Sequence, residues 1–184
     1  MLFGEPPDQL RHARVRNVYG LLEAEATFRG LIELRPGLRP FVISRAGFSG
    51  IQRFALAWTG DNSSTWGHLA LSLPMQLNMG LSGLAFVGSD VGGFHGSPSP
   101  ELFARWLQVG AFSPLFRNHT VTNSPDQEPW EFGDEVTAIS REVIILRYRL
   151  LPYTYSLFWQ AHQKNWPIQR ALVFEFPADE NAAN

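Results

Sequence analysis

Four short apolar runs punctuate this sequence, and each closes on a side chain with chemical capacity. Pro40-Phe41-Val42-Ile43-Ser44 stops at Arg45. Phe54-Ala55-Leu56-Ala57-Trp58 passes through Thr59 and Gly60 to Asp61. Leu84-Ala85-Phe86-Val87 enters a glycine-rich turn, Gly88-Ser89-Asp90-Val91-Gly92-Gly93-Phe94, that holds Asp90. Leu115-Phe116 ends at Arg117-Asn118-His119. Helical patterns separate the runs, and this alternation predicts a parallel sheet of the α/β class. Barrels and open sheets of that class place their chemistry at the carboxyl ends of strands. Arg45, Asp61, Asp90 and His119 are therefore expected on one rim.

The helical segments carry their own boundaries. Asn17 is expected to cap a helix with Val18, Leu21, Leu22, Phe28, Leu31 and Ile32 on one broad face. Gly47 to Arg53 reads as a loop with one helical turn. Residues 64–79 suit a helix through Trp66, Leu69, Leu73, Leu77 and Met79, with Pro74 a kink and Gly80 the C′ residue. Ser99-Pro100-Glu101 combines an N-cap, a proline at N1 and an acid at the positive helix end, opening a helix that runs to Gly110. Residues 134–164 form the longest helical pattern, which Pro152 is expected to kink or divide. Ala171-Leu172-Val173-Phe174-Glu175-Phe176 alternates and predicts a strand.

Composition removes several function classes. Apolar residues make up 45% of 184, enough for a core, and a net charge of −2 recommends neither nucleic acid nor an anionic membrane as partner. The absence of cysteine excludes disulfides, thiolate metal sites and cysteine nucleophiles. No apolar run reaches the ~20 residues that cross a bilayer. Met1-Leu2-Phe3-Gly4-Glu5-Pro6-Pro7 lacks the basic and apolar regions of a signal peptide, so the expected location is the cytoplasm.

Each rim residue also has a plain structural reading. Asp61 suits a helix N-cap, although Asn62, Ser63 and Ser64 compete for that position. Asp90 suits a glycine-rich turn. Three chemistries fit the set. Asp61 and Asp90 flanking a glycosidic bond would hydrolyse it. Two aspartates and His119 would hold a divalent metal, but their spacing is too wide for a local metal motif. Residues 88–93 would cradle a phosphate, but they spell neither Gly-x-Gly-x-x-Gly nor a P-loop. From the residues alone, glycoside hydrolysis leads modestly.

The same residues closely resemble glycoside hydrolase family 31, the α-glucosidase and α-xylosidase family. The matching stretches include Asn17-Val18-Tyr19-Gly20, Arg39-Pro40-Phe41-Val42-Ile43-Ser44-Arg45, Trp58-Thr59-Gly60-Asp61-Asn62 and Val87-Gly88-Ser89-Asp90-Val91-Gly92-Gly93-Phe94. Arg105-Trp106, Gly110-Ala111-Phe112, Phe116-Arg117-Asn118-His119, Glu128-Pro129-Trp130 and Arg147-Tyr148-Arg149-Leu150-Leu151-Pro152-Tyr153 follow in the same order. The resemblance implies that Asp61 is the general acid/base and that Arg45 holds substrate and orients the acid. It implies that Asp90 and His119 bind sugar hydroxyls and that Trp58 and Phe94 wall the subsite. This reassigns Asp90 from catalytic partner to substrate binding.

The resemblance further implies an aspartate nucleophile in a Trp-x-Asp-Met-x-Glu motif on an earlier strand. Nothing in residues 1–11 spells that motif. A whole (β/α)₈ barrel takes about 250 residues. The expected fold is thus the C-terminal half of a (β/α)₈ (TIM) barrel with the first strand of a following β-sandwich domain. Residues 1–16 are expected to be a loop or tail, 17–166 the partial barrel, and 167–184 the start of the sandwich. The implied substrate is an α-linked oligosaccharide or α-glucoside, with the upstream half of the barrel needed and no metal or cofactor. An α-xylosidase or transglycosidase, or a non-catalytic truncated product with residual sugar binding, is the alternative. Two sequons, Asn62-Ser63-Ser64 and Asn118-His119-Thr120, fall at the site, where a glycan would block it, and read as fortuitous.

Overall fold

The structure is a computed structural model that describes residues 2–3 and 10–183. It comprises two compact units, residues 1–57 and 58–184.

In the first unit, β1 (Leu2–Phe3) pairs antiparallel with β2 (Leu10–Arg11), and α1 (His12–Leu34) follows at once. The expected tail therefore contains a strand pair, and the helix starts five residues before Asn17. The reason lies in Ala13, Arg14 and Arg16, good helix formers with no glycine or proline among them. Arg11 occupies the cap position without a side-chain cap bond, so Asn17 is interior. Gly20 and Ala24 are the buried residues of α1, and Gly20 lies against Ala46, where an added Cβ would sit 2.9 Å from the Ala46 Cβ. Leu22 and Ile32, expected on the apolar face, are exposed.

The predicted strand at residues 40–44 contracts to a single parallel bridge between Ile43 and Leu56. Ser44 N–H donates to Leu56 O at 3.0 Å and Leu56 N–H to Val42 O at 3.0 Å. The expected helical turn is present as a 3₁₀ turn, Ile51–Arg53. It shortens the next run to β3 (Ala57–Trp58), because Phe54 N–H closes back onto Ile51 O at 2.8 Å.

The second unit carries the alternation that the sequence predicts. After Trp58 come α2 (Trp66–Leu81), β4 (Val87–Gly88), β5 (Asp90–Val91), α3 (Pro100–Gly110), β6 (Arg117–Asn118) and α4 (Asp134–Lys164). β5 and β6 pair in parallel, with Asp90 opposite Arg117 and Val91 opposite Asn118. Facing residues in a ladder project to the same side of the sheet, so this register sets Asp90 and Arg117 side by side.

Helix α2 does not end at Gly80. It runs on to Leu81, and Gly83 takes the left-handed conformation, with φ of 92°. Leu84 N–H then bonds Met79 O at 2.9 Å and Gly83 N–H bonds Gly80 O at 3.0 Å, the two bonds of a Schellman cap. Ser99 caps α3 as expected, its hydroxyl accepting from Leu102 N–H at 3.3 Å. Helix α4 continues through Pro152 undivided.

The core of this unit lies among α3, β5 and the start of α4, where Phe103, Trp106 and Val91 are wholly buried. Phe103 stacks on Phe132 from the 3₁₀ turn Pro129–Phe132, with ring centroids 4.4 Å apart. The end of α3 is held by Arg147, whose guanidinium donates to Ala111 O, Ser113 O and Pro114 O at 2.8–3.0 Å. Burial lowers the Arg147 pKa, and the three carbonyls give the half-buried guanidinium its hydrogen-bond acceptors.

The strand expected at residues 171–176 is instead one helical turn, α5 (Leu172–Glu175). A strand needs a neighbour for its backbone groups. No strand pairs with this segment among the described residues, and its N–H groups close locally. Phe174 N–H bonds Ala171 O at 2.9 Å and Phe176 N–H bonds Leu172 O at 2.8 Å. Arg170 pairs with Glu175 and donates to Gln160 at 2.7 Å, holding the turn to α4. Among the described residues, no helix is long and apolar enough to cross a membrane.

Candidate active site

Asp61 stands exposed on a tight turn just beyond β3, where Asn62 N–H bonds Gly60 O at 3.0 Å. The helix-cap reading of Asp61 does not hold. Thr65 is the N-cap of α2, its hydroxyl accepting from His68 N–H at 3.2 Å. His68 Nδ1 in turn accepts from Ser63 N–H at 3.0 Å, which pins the segment between the acid and the helix. Asp61 is therefore not the N-cap of the helix. It lines a cleft of about 150 Å³ with Thr59, Asn62, His68, Leu71, Ser72 and Met75.

Asp90 occupies the opposite environment. Its side chain is wholly buried, with Arg117 Nε donating to Oδ1 at 2.8 Å and Nη2 donating to the same oxygen. Oδ2 is buried and has no protein partner. Burial pushes the Asp90 carboxyl above its ordinary 3.8 and Asp61 pushes the same way, while Arg117 and His119 pull it down. Burial prevails, as desolvation penalises the charged form.

Asn62 ties the acid-bearing turn to the Asp90 loop. It is buried, with Nδ2 donating to Asp90 O at 3.0 Å and Oδ1 accepting from Phe94 N–H at 3.0 Å. Its backbone carbonyl accepts from Phe94 and His95, both at 2.9 Å, and Ser64 N–H bonds His95 O at 2.8 Å. Such close approach requires glycine at 93, which sits at φ of 95° with space for no Cβ, since one would lie 2.5 Å from Ser64 N. Gln127, also buried, secures the other side, donating to Val91 O at 2.8 Å and Asn118 Oδ1 at 2.7 Å. Asn118 Nδ2 returns a bond to Gln127 O at 2.6 Å. Both sequon asparagines thus use their amide nitrogens inside the fold, consistent with the fortuitous reading.

The remaining expected residues divide between the two units. Phe94 is half-buried and faces His119 with ring centroids 5.4 Å apart, so aromatic face and imidazole adjoin. Trp58 is half-buried, and the Arg117 guanidinium carbon lies 5.0 Å from its ring centroid. Asp61, Asp90, Phe94, His119 and Trp58 are therefore linked within the second unit. Arg45 belongs to the first unit, exposed in a bend after the Ile43 bridge. Among the described residues no cluster of three metal-ligating side chains occurs.

Sequence reading missed Asn62, Arg117, His68 and Gln127 as parts of this arrangement. Asn62 stood among the capping residues, and Arg117 lay in a matched stretch without a role. Gln127 sits in a polar loop between two prolines and gave no signal.

Residues 3–157 match the family model described as the glycosyl hydrolases family 31 TIM-barrel domain. The chain is 52% identical over 177 residues to alpha-glucosidase 2 of Bacillus thermoamyloliquefaciens, covering 96% of this chain and 22% of that protein. It is 47% identical over 169 residues to neutral alpha-glucosidase C of Mus musculus, covering 91% of this chain and 19% of that one. The crystal structure of the Tris-bound glucosidase II alpha subunit superposes with a TM-score of 0.91 at 39% identity, over 97% of this chain and 20% of its own. The family 31 alpha-glucosidase from Bacteroides thetaiotaomicron gives 0.90 at 41% identity, over 99% of this chain and 31% of its own. The chain spans about a fifth of the length of the curated relatives it matches. Its fold is that of a TIM barrel, and the chain belongs to glycosyl hydrolase family 31.

Proposed function

We propose that this chain supplies the acid/base side of a retaining α-glycosidase active site, acting on terminal α-linked glucose in oligosaccharides or α-glucosides. The observation that carries the reading is the contrast between two carboxylates on linked loops. Asp61 is exposed and is not used as a helix cap, whereas Asp90 is buried and bound by Arg117. Carboxylates in opposed environments take opposed roles. Burial and the Arg117 ion pair hold Asp90 in place and suit it to keeping a hydroxyl. That leaves Asp61, in the cleft, as the carboxyl that exchanges a proton at the bond being cleaved, the role that the family resemblance implies for it. The names of the relatives, alpha-glucosidases at 47–52% identity, favour α-linked glucose as the sugar.

In this reading the chain is the C-terminal half of the barrel, and an upstream aspartate completes the site. That aspartate attacks the anomeric carbon while Asp61 gives its proton to the departing glycosidic oxygen, so the C–O bond breaks and a glycosyl ester forms. Asp61, now a carboxylate, takes a proton from water. The water oxygen bonds to the anomeric carbon, and the ester carboxylate leaves. For Arg45 the family resemblance implies the holding of substrate and the orienting of the acid. Asp90 and His119 accept and donate to sugar hydroxyls, with Trp58 and Phe94 as walls. Residues 167–184 lead toward the next domain, in keeping with a family match that stops at residue 157.

The test is the stereochemistry of hydrolysis by the full-length protein, followed by proton NMR on maltose. Release of α-glucose as the first product supports the reading. Release of β-glucose, or no hydrolysis of α-glucosides, overturns it.

A further inference from the structure

Arg117 does more than neutralise a buried acid. Both of its donating nitrogens, Nε and Nη2, go to the same oxygen of Asp90, Oδ1. The other oxygen, Oδ2, is buried and has no protein partner. A fork of this kind ordinarily spreads over both oxygens of a carboxylate. Here the β5–β6 register places Arg117 directly opposite Asp90. The guanidinium also lies 5.0 Å from the Trp58 ring centroid, so the aromatic face helps fix its plane. The backbone of Asp90 is fixed separately, through Asn62 Nδ2 on its carbonyl at 3.0 Å and Gly93 N–H at 3.2 Å.

We infer that Arg117 is a positioning residue for the substrate-binding carboxylate, holding Asp90 through Oδ1 alone so that Oδ2 remains to accept from a sugar hydroxyl. The inference rests on the proposed α-glycosidase reading for the identity of the sugar. Arg117 acts through Asp90 and does not touch the reacting atoms.

The charged and titratable groups that act on Asp90 are Arg117, His119 and Asp61. Burial raises the Asp90 pKa, and Arg117 opposes it by hydrogen bond and by charge. Without the guanidinium nothing but His119 resists protonation, and a protonated carboxyl is a poorer acceptor. A purely structural ion pair predicts a different outcome, a lower melting temperature with the pH profile of kcat/KM unaltered.

The experiment measures kcat/KM against pH for the full-length protein with p-nitrophenyl α-glucoside. Arg117→Met is expected to move the acid limb upward by about one to three pH units, the size of a carboxylate's usual response to a neighbouring arginine. Arg117→Lys keeps the charge but cannot make the two-donor contact. It is expected to leave the acid limb close to that of the wild type, with kcat/KM reduced at least about tenfold, mainly through KM. An unmoved acid limb in a folded Arg117→Met protein, or wild-type kcat/KM in Arg117→Lys, overturns the inference. If the Met variant does not fold, the Lys variant decides by itself. Hydrolysis by the wild type tests the α-glycosidase reading separately. Should the wild type hydrolyse nothing, the pH dependence of the thermal midpoint still reads the Asp90 titration. An identical profile in wild type and Arg117 variants overturns the hold of Arg117 on Asp90.

Discussion

Arg117 Nε lies 2.8 Å from Asp90 Oδ1, and this pair is what turns a buried acid into an anchored one. The pairing follows from the parallel register of two very short strands, since facing residues share one side of the ladder. Its consequences for stability are unusual for a carboxylate.

Asp90 has a raised pKa in the folded state, so it keeps its proton over a range where the unfolded chain has lost it. That range begins at the ordinary value of 3.8 and extends up to the raised value. Within it the folded state binds more protons, and stability falls as pH rises. Below the range the cost of burying the charge is absent. The difference in thermal midpoint between wild type and Asp90→Asn is therefore expected to shift in favour of Asn as pH rises from about 4, then level off. A wild type that gains on Asn with rising pH contradicts this.

Asn62 should be intolerant of its nearest isostere. Asn62→Asp replaces the donor on Asp90 O with a carboxylate oxygen, setting two acceptors against each other beside an existing acid. The expected cost is about 2–3 kcal/mol of stability, with a fall in kcat/KM of at least about tenfold as the two loops lose their link. Denaturant titration and α-glucoside kinetics on the full-length protein check both.

Two glycines separate backbone strain from steric conflict. Gly37→Ala, at φ of 86° with nothing within 4 Å of an added Cβ, is expected to cost about 1–2 kcal/mol, the price of a left-handed residue. Gly93→Ala carries the same strain at φ of 95° and also drives a Cβ to 2.5 Å from Ser64 N. It should cost more, about 3 kcal/mol or above. Equal midpoints for the two variants in denaturant would show that the Ser64–His95 contact yields easily.

Arg147→Met removes the donors that cap three carbonyls at the end of α3. Charged hydrogen bonds of this type contribute about 1.5–3 kcal/mol each in mutational series, and their effects overlap here. A loss of about 2–4 kcal/mol is expected, seen as a lower thermal midpoint, while Asp61 and its turn keep their geometry.

Much of the second unit was legible from its sequence. Ser99-Pro100-Glu101 carries the start of α3 in three residues, and residues 134–164 match α4 end to end. Strand lengths were not legible. Residues 40–44 and 54–58 read as strands by their apolar character, but a strand extends only as far as its partner allows, and these contract to a bridge and two residues. The segment at 171–176 failed for the same reason, since alternation states a preference and a neighbour must satisfy it. Pro152 was expected to kink or divide α4; it does not divide it, because one missing N–H does not break a helix of 31 residues. Of the candidate site, the strand-end residues were visible because chemistry-bearing types follow apolar runs. The residues that hold them, Asn62, Arg117 and Gln127, were not, because their partners lie 27 to 36 positions away in sequence.

The most direct test of the proposed mechanism is the turnover of Asp61→Asn in the full-length protein on two substrates. On maltose, whose departing sugar needs a proton, turnover is expected to fall by roughly 10²–10⁴-fold. On p-nitrophenyl α-glucoside, whose departing phenolate needs none, formation of the glycosyl ester should be far less impaired. Wild-type turnover on maltose would contradict the assignment of Asp61 as the acid/base.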